Sequence, residues 1–260
     1  MMKEKIMQEN KRVALVTGSS TGIGAAVARR LARSGFNVVV NYSRNPDSGQ
    51  ETYEACNAAG SDTLLVQCDV SDEASVESMV AAVQEKYGRL DVVCSNAGIS
   101  IDTPPRKFDE IKVEDWDRVF AVNVRGPFLI AKHTRALLEE AEDPCIVNTA
   151  SIVGLRPGAA PLPYSASKAA VINMTQTLAA ALGPKIRVNA IAPGWLEGEW
   201  MEQMLGDNYD KLMDRRAKMT PLKRCVRMDD IAETVLTLIE HMGFCTGEVI
   251  VIDGGFAKTT

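Results

Sequence analysis

Short apolar runs alternate along the chain with longer stretches in which apolar residues recur every three or four positions. The runs are Val13–Thr17, Asn37–Asn41, Thr63–Cys68, Asp91–Ser95, Cys145–Ala150, Arg187–Ala192 and Glu248–Ile252. They are rich in Val and Ile and apolar at consecutive positions, which predicts parallel strands covered on both faces. Between them the periodicity predicts helices over Ile23–Ser34, Ser48–Ala59, Asp72–Tyr87, Val113–Glu140, Tyr164–Leu182 and Asp229–His241. Ser71, Asp72 and Glu73 suit a helix N-terminus, and Gly35, Gly60 and Gly88 fall just past helix ends, where a left-handed cap favours glycine. The alternation predicts an α/β chain with a doubly wound, seven-stranded parallel sheet and helices on both faces. No Pro/Ser-rich linker interrupts it, so residues 1–260 are expected to form one domain, with a flexible tail over 1–10.

Two segments lack this regularity, Ile99–Ile111 and Gly194–Pro221. Trp195, Leu196, Trp200, Met201, Met204, Leu205, Leu212 and Met213 crowd the second one. Residues 194–221 are therefore expected to be an apolar substrate lid or an interface helix.

Composition narrows the partners. The net charge of -5 gives no basic face for nucleic acid. The N-terminus is polar, so no secretory leader is expected, and no apolar run reaches the ~20 residues that cross a bilayer. Six cysteines without a CxxC pair suggest buried, reduced thiols and a cytoplasmic protein. His133 and His241, the only histidines, offer neither a metal site nor a Ser-His-Asp triad.

The candidate chemistry begins where the first strand meets the first helix. Thr17, Gly18, Ser19, Ser20, Thr21, Gly22, Ile23 and Gly24 place three glycines in a GxxxGxG turn. Such a turn lets the backbone approach a pyrophosphate with the helix N-terminus facing the charge, although a mere tight turn would use glycine too. NAD sites place a carboxylate about 20 residues further on, at the end of the second strand. Here the chain reads Asn41, Tyr42, Ser43, Arg44, with no acid. A hydroxyl and a guanidinium suit a 2′-phosphate, so NADP(H) is expected over NAD(H); the alternative for Arg44 is a solvated loop residue.

Further along, Asp69-Val70, the run Ser95–Gly98, Asn123, Ser151, Tyr164-xxx-Lys168, Pro193-Gly194 and Asp253-Gly254-Gly255 follow in order. Together with Thr17–Gly24, these motifs make the chain resemble the short-chain dehydrogenase/reductase family over nearly its full length. The similarity extends to 3-oxoacyl-carrier-protein reductase and glucose dehydrogenase-like members. It implies a Rossmann fold and a dinucleotide site built from Gly18, Ser20, Thr21, Gly22, Ile23, Gly24, Ser43, Arg44, Asp69, Val70, Asn96, Ala97, Gly98, Tyr164, Lys168, Pro193 and Gly194. Asp69 would then bond the adenine amino group, with Val70 against the ring, and Pro193-Gly194 would border the nicotinamide. Lys168 would also bind ribose hydroxyls, and Asn123 would hold a water linking Lys168 to solvent.

The residues argue the chemistry independently. Tyr164 and Lys168 are i,i+4 on one helix and share a face. A nearby ammonium and an oxidised nicotinamide would both favour phenolate, lowering a pKa of about 10 by roughly two or three units and making Tyr164 a general acid/base. Ser151, at the end of the fifth strand, could hold a substrate carbonyl for hydride attack. The expected catalytic set is Asn123, Ser151, Tyr164 and Lys168. Asp91 reads as structural, and Asn123 taken alone could be a helix-bending core residue.

Two departures bear on the substrate. Relatives often carry a threonine four residues after the Pro-Gly pair, where this chain has Gly198; either Glu199 or a backbone amide substitutes, or the loop follows another path. The stretch Leu138–Asp143 is acidic where carrier-protein reductases tend to be basic, which opposes docking of an acidic carrier, although Lys185 and Arg187 leave that open. A small free carbonyl or alcohol compound is the expected substrate, reduced with NADPH. Oxidation of a sugar or alcohol, reduction of a 3-oxoacyl carrier protein and a silent NADP-binding scaffold are the alternatives. The resemblance implies a homodimer through Val113–Glu140 and Tyr164–Leu182, or a homotetramer completed by the C-terminal segment.

Overall fold

The computed structural model describes residues 11–158 and 160–259; the tail expected over 1–10 lies outside them. Seven strands form one sheet: β1 Val13–Val16, β2 Asn37–Tyr42, β3 Leu64–Gln67, β4 Val92–Ser95, β5 Cys145–Thr149, β6 Arg187–Pro193 and β7 Val249–Ile252. Their spatial order is β3-β2-β1-β4-β5-β6-β7, and every pair is parallel. β1 pairs with both β2 and β4, so the winding direction reverses there and opens a crevice at the strands' carboxyl ends.

The strands are legible as parallel because both faces of each are apolar. Ala14 and Val16 point into one core, with Val27 and Leu31 of α1 (Gly22–Arg33) and Val235 and Ile239 of α9 (Met228–Glu240). Val13 and Leu15 point into the other. There they meet Met79 and Val83 of α3 (Glu73–Tyr87), Leu129 and Leu138 of α5 (Gly126–Glu139) and Ala179 of α6 (Leu162–Leu182). The second helix, α2, runs Pro46–Ala58. Asp72 caps α3 by accepting from the Ser75 amide, and Gly35, Gly60 and Gly88 adopt positive φ after their helices. Asp91 is indeed structural: buried, it accepts from the Val13 amide and from Arg89. All six cysteines are free thiols, and among the described residues no helix is long and apolar enough to cross a membrane.

Two expectations need correction. The single helix over Val113–Glu140 is divided into α4 (Val113–Phe120), one π turn at Ala121–Arg125, and α5. The extra residue in that turn is stabilised by tertiary hydrogen bonds of Asn123, which periodicity cannot show. Residues 194–221 contain regular structure, α7 (Glu199–Leu205) and α8 (Tyr209–Met219), with a short last helix, α10, at Phe256–Thr259. Met201, Met213 and Cys225 are buried there against Trp195, Met204, Leu205, Tyr209 and Ala217. The crowding of large apolar residues is thus partly a small core of this segment's own.

Candidate active site

The glycine turn leaves β1 and enters α1 with Gly18 at φ 60° and Gly22 at φ 57°. A Cβ on Gly18 would lie 2.8 Å from the Ala97 Cα, and one on Gly24 2.3 Å from the Gly18 carbonyl oxygen. The turn is stapled from three sides. The Gly18 amide donates to Asn41 Oδ1 (2.9 Å), Ser19 Oγ accepts from the Asn41 amide (2.9 Å), and Asn96 Nδ2 donates to the Thr17 and Gly18 carbonyls (3.2 and 3.1 Å). Thr17 Oγ1 in turn accepts from the Asn96 and Ala97 amides. Asn41 and Thr17 thus support the turn in a way that no local motif signals. In the sequence, Asn41 registers only as the absence of an acid.

From this turn a cleft of ≈ 1470 Å³ runs along the carboxyl edge of the sheet. Gly18, Ser20, Thr21, Gly22, Ile23, Ser43, Arg44, Asp69, Val70, Asn96, Ala97, Gly98, Ser151, Tyr164, Lys168, Pro193 and Gly194 all line it. Gly24 and Asn123 do not: each is buried one layer behind. Ser43 and Arg44 are exposed at the lip. Asp69 accepts from the Ser71 amide and hydroxyl, and chiefly that hydroxyl holds its carboxyl below the usual range, helped by Arg44 and Arg125. Val70 is also packed against α5, since a Cβ at Gly126 would sit 2.9 Å from its Cγ2.

At the other end three side chains converge. Ser151 caps the short turn Ile152–Gly154 after β5, and its hydroxyl hydrogen-bonds the Tyr164 phenol. Gly154 makes that approach possible: a Cβ there would lie 2.6 Å from the Lys168 backbone carbon, so the turn rests directly on α6. Nothing in the local sequence singles out Gly154. One helical turn beyond Tyr164, Lys168 is 4% exposed, donates to the Thr149 carbonyl (2.7 Å), and holds Nζ 5.5 Å from the Tyr164 ring centroid. Behind it, Asn123 Oδ1 accepts from the Ile99 amide (2.8 Å). Its Nδ2 donates to the Ile99 carbonyl (2.9 Å) and to Ser167 Oγ (3.0 Å). Ser167 donates onward to the Tyr164 carbonyl (2.7 Å). Asn123 therefore both stabilises the π turn and braces the helix that carries Tyr164 and Lys168.

The electrostatics differ from expectation. Burial pushes the Tyr164 phenol up to about 12, opposed only by the Ser151 hydrogen bond. Burial also pushes the Lys168 ammonium down to about 8. The lowered phenol expected from sequence is not seen in the protein alone. Desolvation dominates, and Lys168 points its donor at Thr149 rather than at the phenol.

Aromatic and sulfur side chains wall this end: Trp200, whose ring centroid is 6.1 Å from that of Tyr164, with Trp195, Met201, Met204 and Phe256. Gly198 has φ 134° and donates its amide to Tyr209 Oη (3.2 Å), anchoring the start of α7, and the neighbouring Glu199 lines the cleft. On the opposite edge of the molecule, Lys185 donates to the Ala141 carbonyl and Arg187 pairs with Asp143. Both basic residues that could have received an acidic carrier have internal partners.

The chain is similar to known oxidoreductases. A family model described as enoyl-(acyl carrier protein) reductase matches residues 18–257. A protein named as a ketoacyl reductase of the granaticin polyketide synthase of Streptomyces violaceoruber is 39% identical over 94% of this chain and 95% of its own. The 3-oxoacyl-acyl-carrier-protein reductase of Staphylococcus epidermidis is 36% identical over 93% of this chain and 97% of its own. Among solved structures, a gluconate 5-dehydrogenase from Burkholderia cenocepacia, in complex with NADP and tartrate, superposes with a TM-score of 0.86. It is 26% identical over 98% of this chain and 100% of its own.

Proposed function

Since the chain belongs to the short-chain dehydrogenase/reductase family, whose members act on CH–OH and C=O groups, we propose that it is an NADPH-dependent reductase. It converts the carbonyl of a small molecule to the alcohol, with Tyr164 as general acid. The observation that carries this reading is the convergence of Ser151, Tyr164 and Lys168 at one end of a cleft whose other end is a glycine turn with Arg44 at its lip. The turn fits a dinucleotide: Gly18 and Gly24 have no room for a Cβ, so the turn packs tightly on Ala97 and on itself, and Gly18, Ser20, Thr21 and Gly22 line the cleft where a pyrophosphate would lie.

The cofactor, when bound, supplies the hydride at its nicotinamide. This chain's residues do the rest. Ser151 Oγ hydrogen-bonds the substrate carbonyl oxygen and orients it, and Tyr164 Oη donates the proton that oxygen needs as it becomes an alcohol. Lys168 favours the resulting phenolate and binds ribose hydroxyls. Asn123 positions α6, its side-chain amide being engaged by Ile99 and Ser167. Burial keeps the Tyr164 phenol protonated at neutral pH, as a general acid must be before it acts, and release of that proton rests on the stabilisation of the phenolate by Lys168.

NADP(H) is favoured over NAD(H) because the end of β2 offers Ser43 and Arg44 and no carboxylate. The NADP complex of the gluconate dehydrogenase is consistent with that preference. We read the chain as one domain and a cytoplasmic protein, with residues 194–221 closing over the substrate. A homo-oligomer through α4, α5 and α6 completes the reading. Reduction of a 3-oxoacyl thioester is the second reading, favoured by the two reductase relatives.

The test is a carbonyl panel followed by loss of NADPH absorbance. It contains sugars, aliphatic ketones, oxo esters and the N-acetylcysteamine thioester of acetoacetate, each with NADPH and NADH. Turnover preferring NADPH is expected, with Arg44→Asp lowering that preference at least about tenfold. Binding of NADPH without turnover of any member would favour the silent scaffold instead.

A further inference from the structure

One cation on the wall of the cleft is unexplained by hydride transfer. Arg216, on α8, lays its guanidinium over the Trp195 ring at 4.4 Å from the centroid and lies 5.7 Å from that of Phe256. All three line the cleft that holds Ser151 and Tyr164. Trp195 directly follows Gly194, whose backbone rests on Asp253 and Ile152, so the stack stands on the floor of the substrate end. The Arg216 Nε is buried and has no hydrogen-bond partner among the described residues. Burial, and then the neighbouring Arg215, weaken its hold on the proton, and no carboxylate opposes them. The second arginine here, Arg156, differs, because its Nη1 donates to the Ala257 carbonyl (3.0 Å).

A guanidinium is a fixed cation with five donors in a planar fork that matches a carboxylate. Stacking on two aromatic rings fixes its plane and leaves its N–H edge to find partners. A purely structural arginine would be expected to point that edge at a carboxylate or at main-chain carbonyls, as Arg187 does with Asp143, Leu238 and Ile239. We propose that Arg216 is the anchor for a carboxylate on the substrate, so that the molecule reduced is an oxo acid with its anionic group away from the reacting carbonyl. This rests on the reductase reading above and narrows its substrate class.

The test compares acetoacetate, 4-oxopentanoate and 5-oxohexanoate with their methyl esters as NADPH-dependent substrates of the unaltered protein. At least one acid should exceed its ester in kcat/KM by about tenfold or more. Arg216→Met should reduce that acid-to-ester ratio at least about tenfold, Arg216→Lys should keep part of it, and the KM for NADPH should stay within about threefold. A second arm does not need turnover: hexanoate is titrated into the NADP-loaded protein while tryptophan fluorescence is followed. Saturable quenching in the unaltered protein, lost in Arg216→Met, supports the anchor even if no carbonyl is reduced, in which case only the reductase reading fails. Acids and esters used equally well, a hexanoate response unchanged in Arg216→Met, or a KM for NADPH that rises with the loss of acid preference would each overturn it. The last would assign Arg216 to the cofactor instead.

Discussion

Lys168 and Tyr164 set the pH behaviour of the site. Burial lowers Lys168 to about 8 from its ordinary 10.5, so the folded protein holds fewer protons than the unfolded chain between those values. Stability from this group therefore rises with pH across that window, as a buried ammonium that destabilises the fold is discharged. Tyr164 has the opposite sign: raised to about 12 from 10, it stays protonated in the fold after the unfolded phenol has ionised, and stability falls between about 10 and 12. For activity, the phenol remains an acid throughout the working range, while the cation beside it is lost above about 8. The kcat/KM for carbonyl reduction should be level below that pH and fall about tenfold per unit above it. A profile flat to pH 9.5 would show that the charge on Lys168 is not needed.

The π turn between α4 and α5 exists because Asn123 satisfies both main-chain groups of Ile99 and reaches Ser167. Asn123→Ala leaves a buried N–H and C=O without partners, so denaturant unfolding should show a loss of about 2–3 kcal/mol, with turnover reduced as α6 loses its brace. Unchanged stability would mean that water replaces the amide. This element also marks what the sequence could and could not show. Strand segments such as Val38–Val40 and Val92–Cys94 are visible because burial on both faces makes them apolar at consecutive positions. The division at Ala121–Arg125 is not, because it depends on a backbone partner, Ile99, distant along the chain. Residues 194–221 conceal α7 and α8 because their apolar side chains serve two surfaces at once, a local core around Met213 and the cleft wall at Trp200. The glycine turn and the pair Tyr164 and Lys168 are legible as local motifs. Arg216, Asn41 and Gly154 are not, since each matters through a neighbour distant in sequence.

At the scale of the molecule, the reversal of winding between β1 and β4 brings these local motifs to one edge of one sheet. The same helices that brace the site leave a largely apolar surface of Trp116, Phe120, Val124, Phe128 and Met174, edged by Asp117 and Arg125, with Phe128 49% exposed. That surface fits the proposed contact between copies. Phe128→Glu should shift the protein to a smaller species in sedimentation velocity, and an unchanged particle would place the contact elsewhere. The proposed function nonetheless turns on Tyr164 as its proton donor. Tyr164→Phe removes one oxygen and leaves the ring beside Trp200. The most direct measurement is the turnover of this variant on the best carbonyl substrate, alongside NADPH binding by fluorescence. We expect kcat to fall at least about 10²- to 10⁴-fold with NADPH affinity within a few-fold of the unaltered protein. Turnover that survives the loss of the hydroxyl, with binding intact, would contradict Tyr164 as the acid.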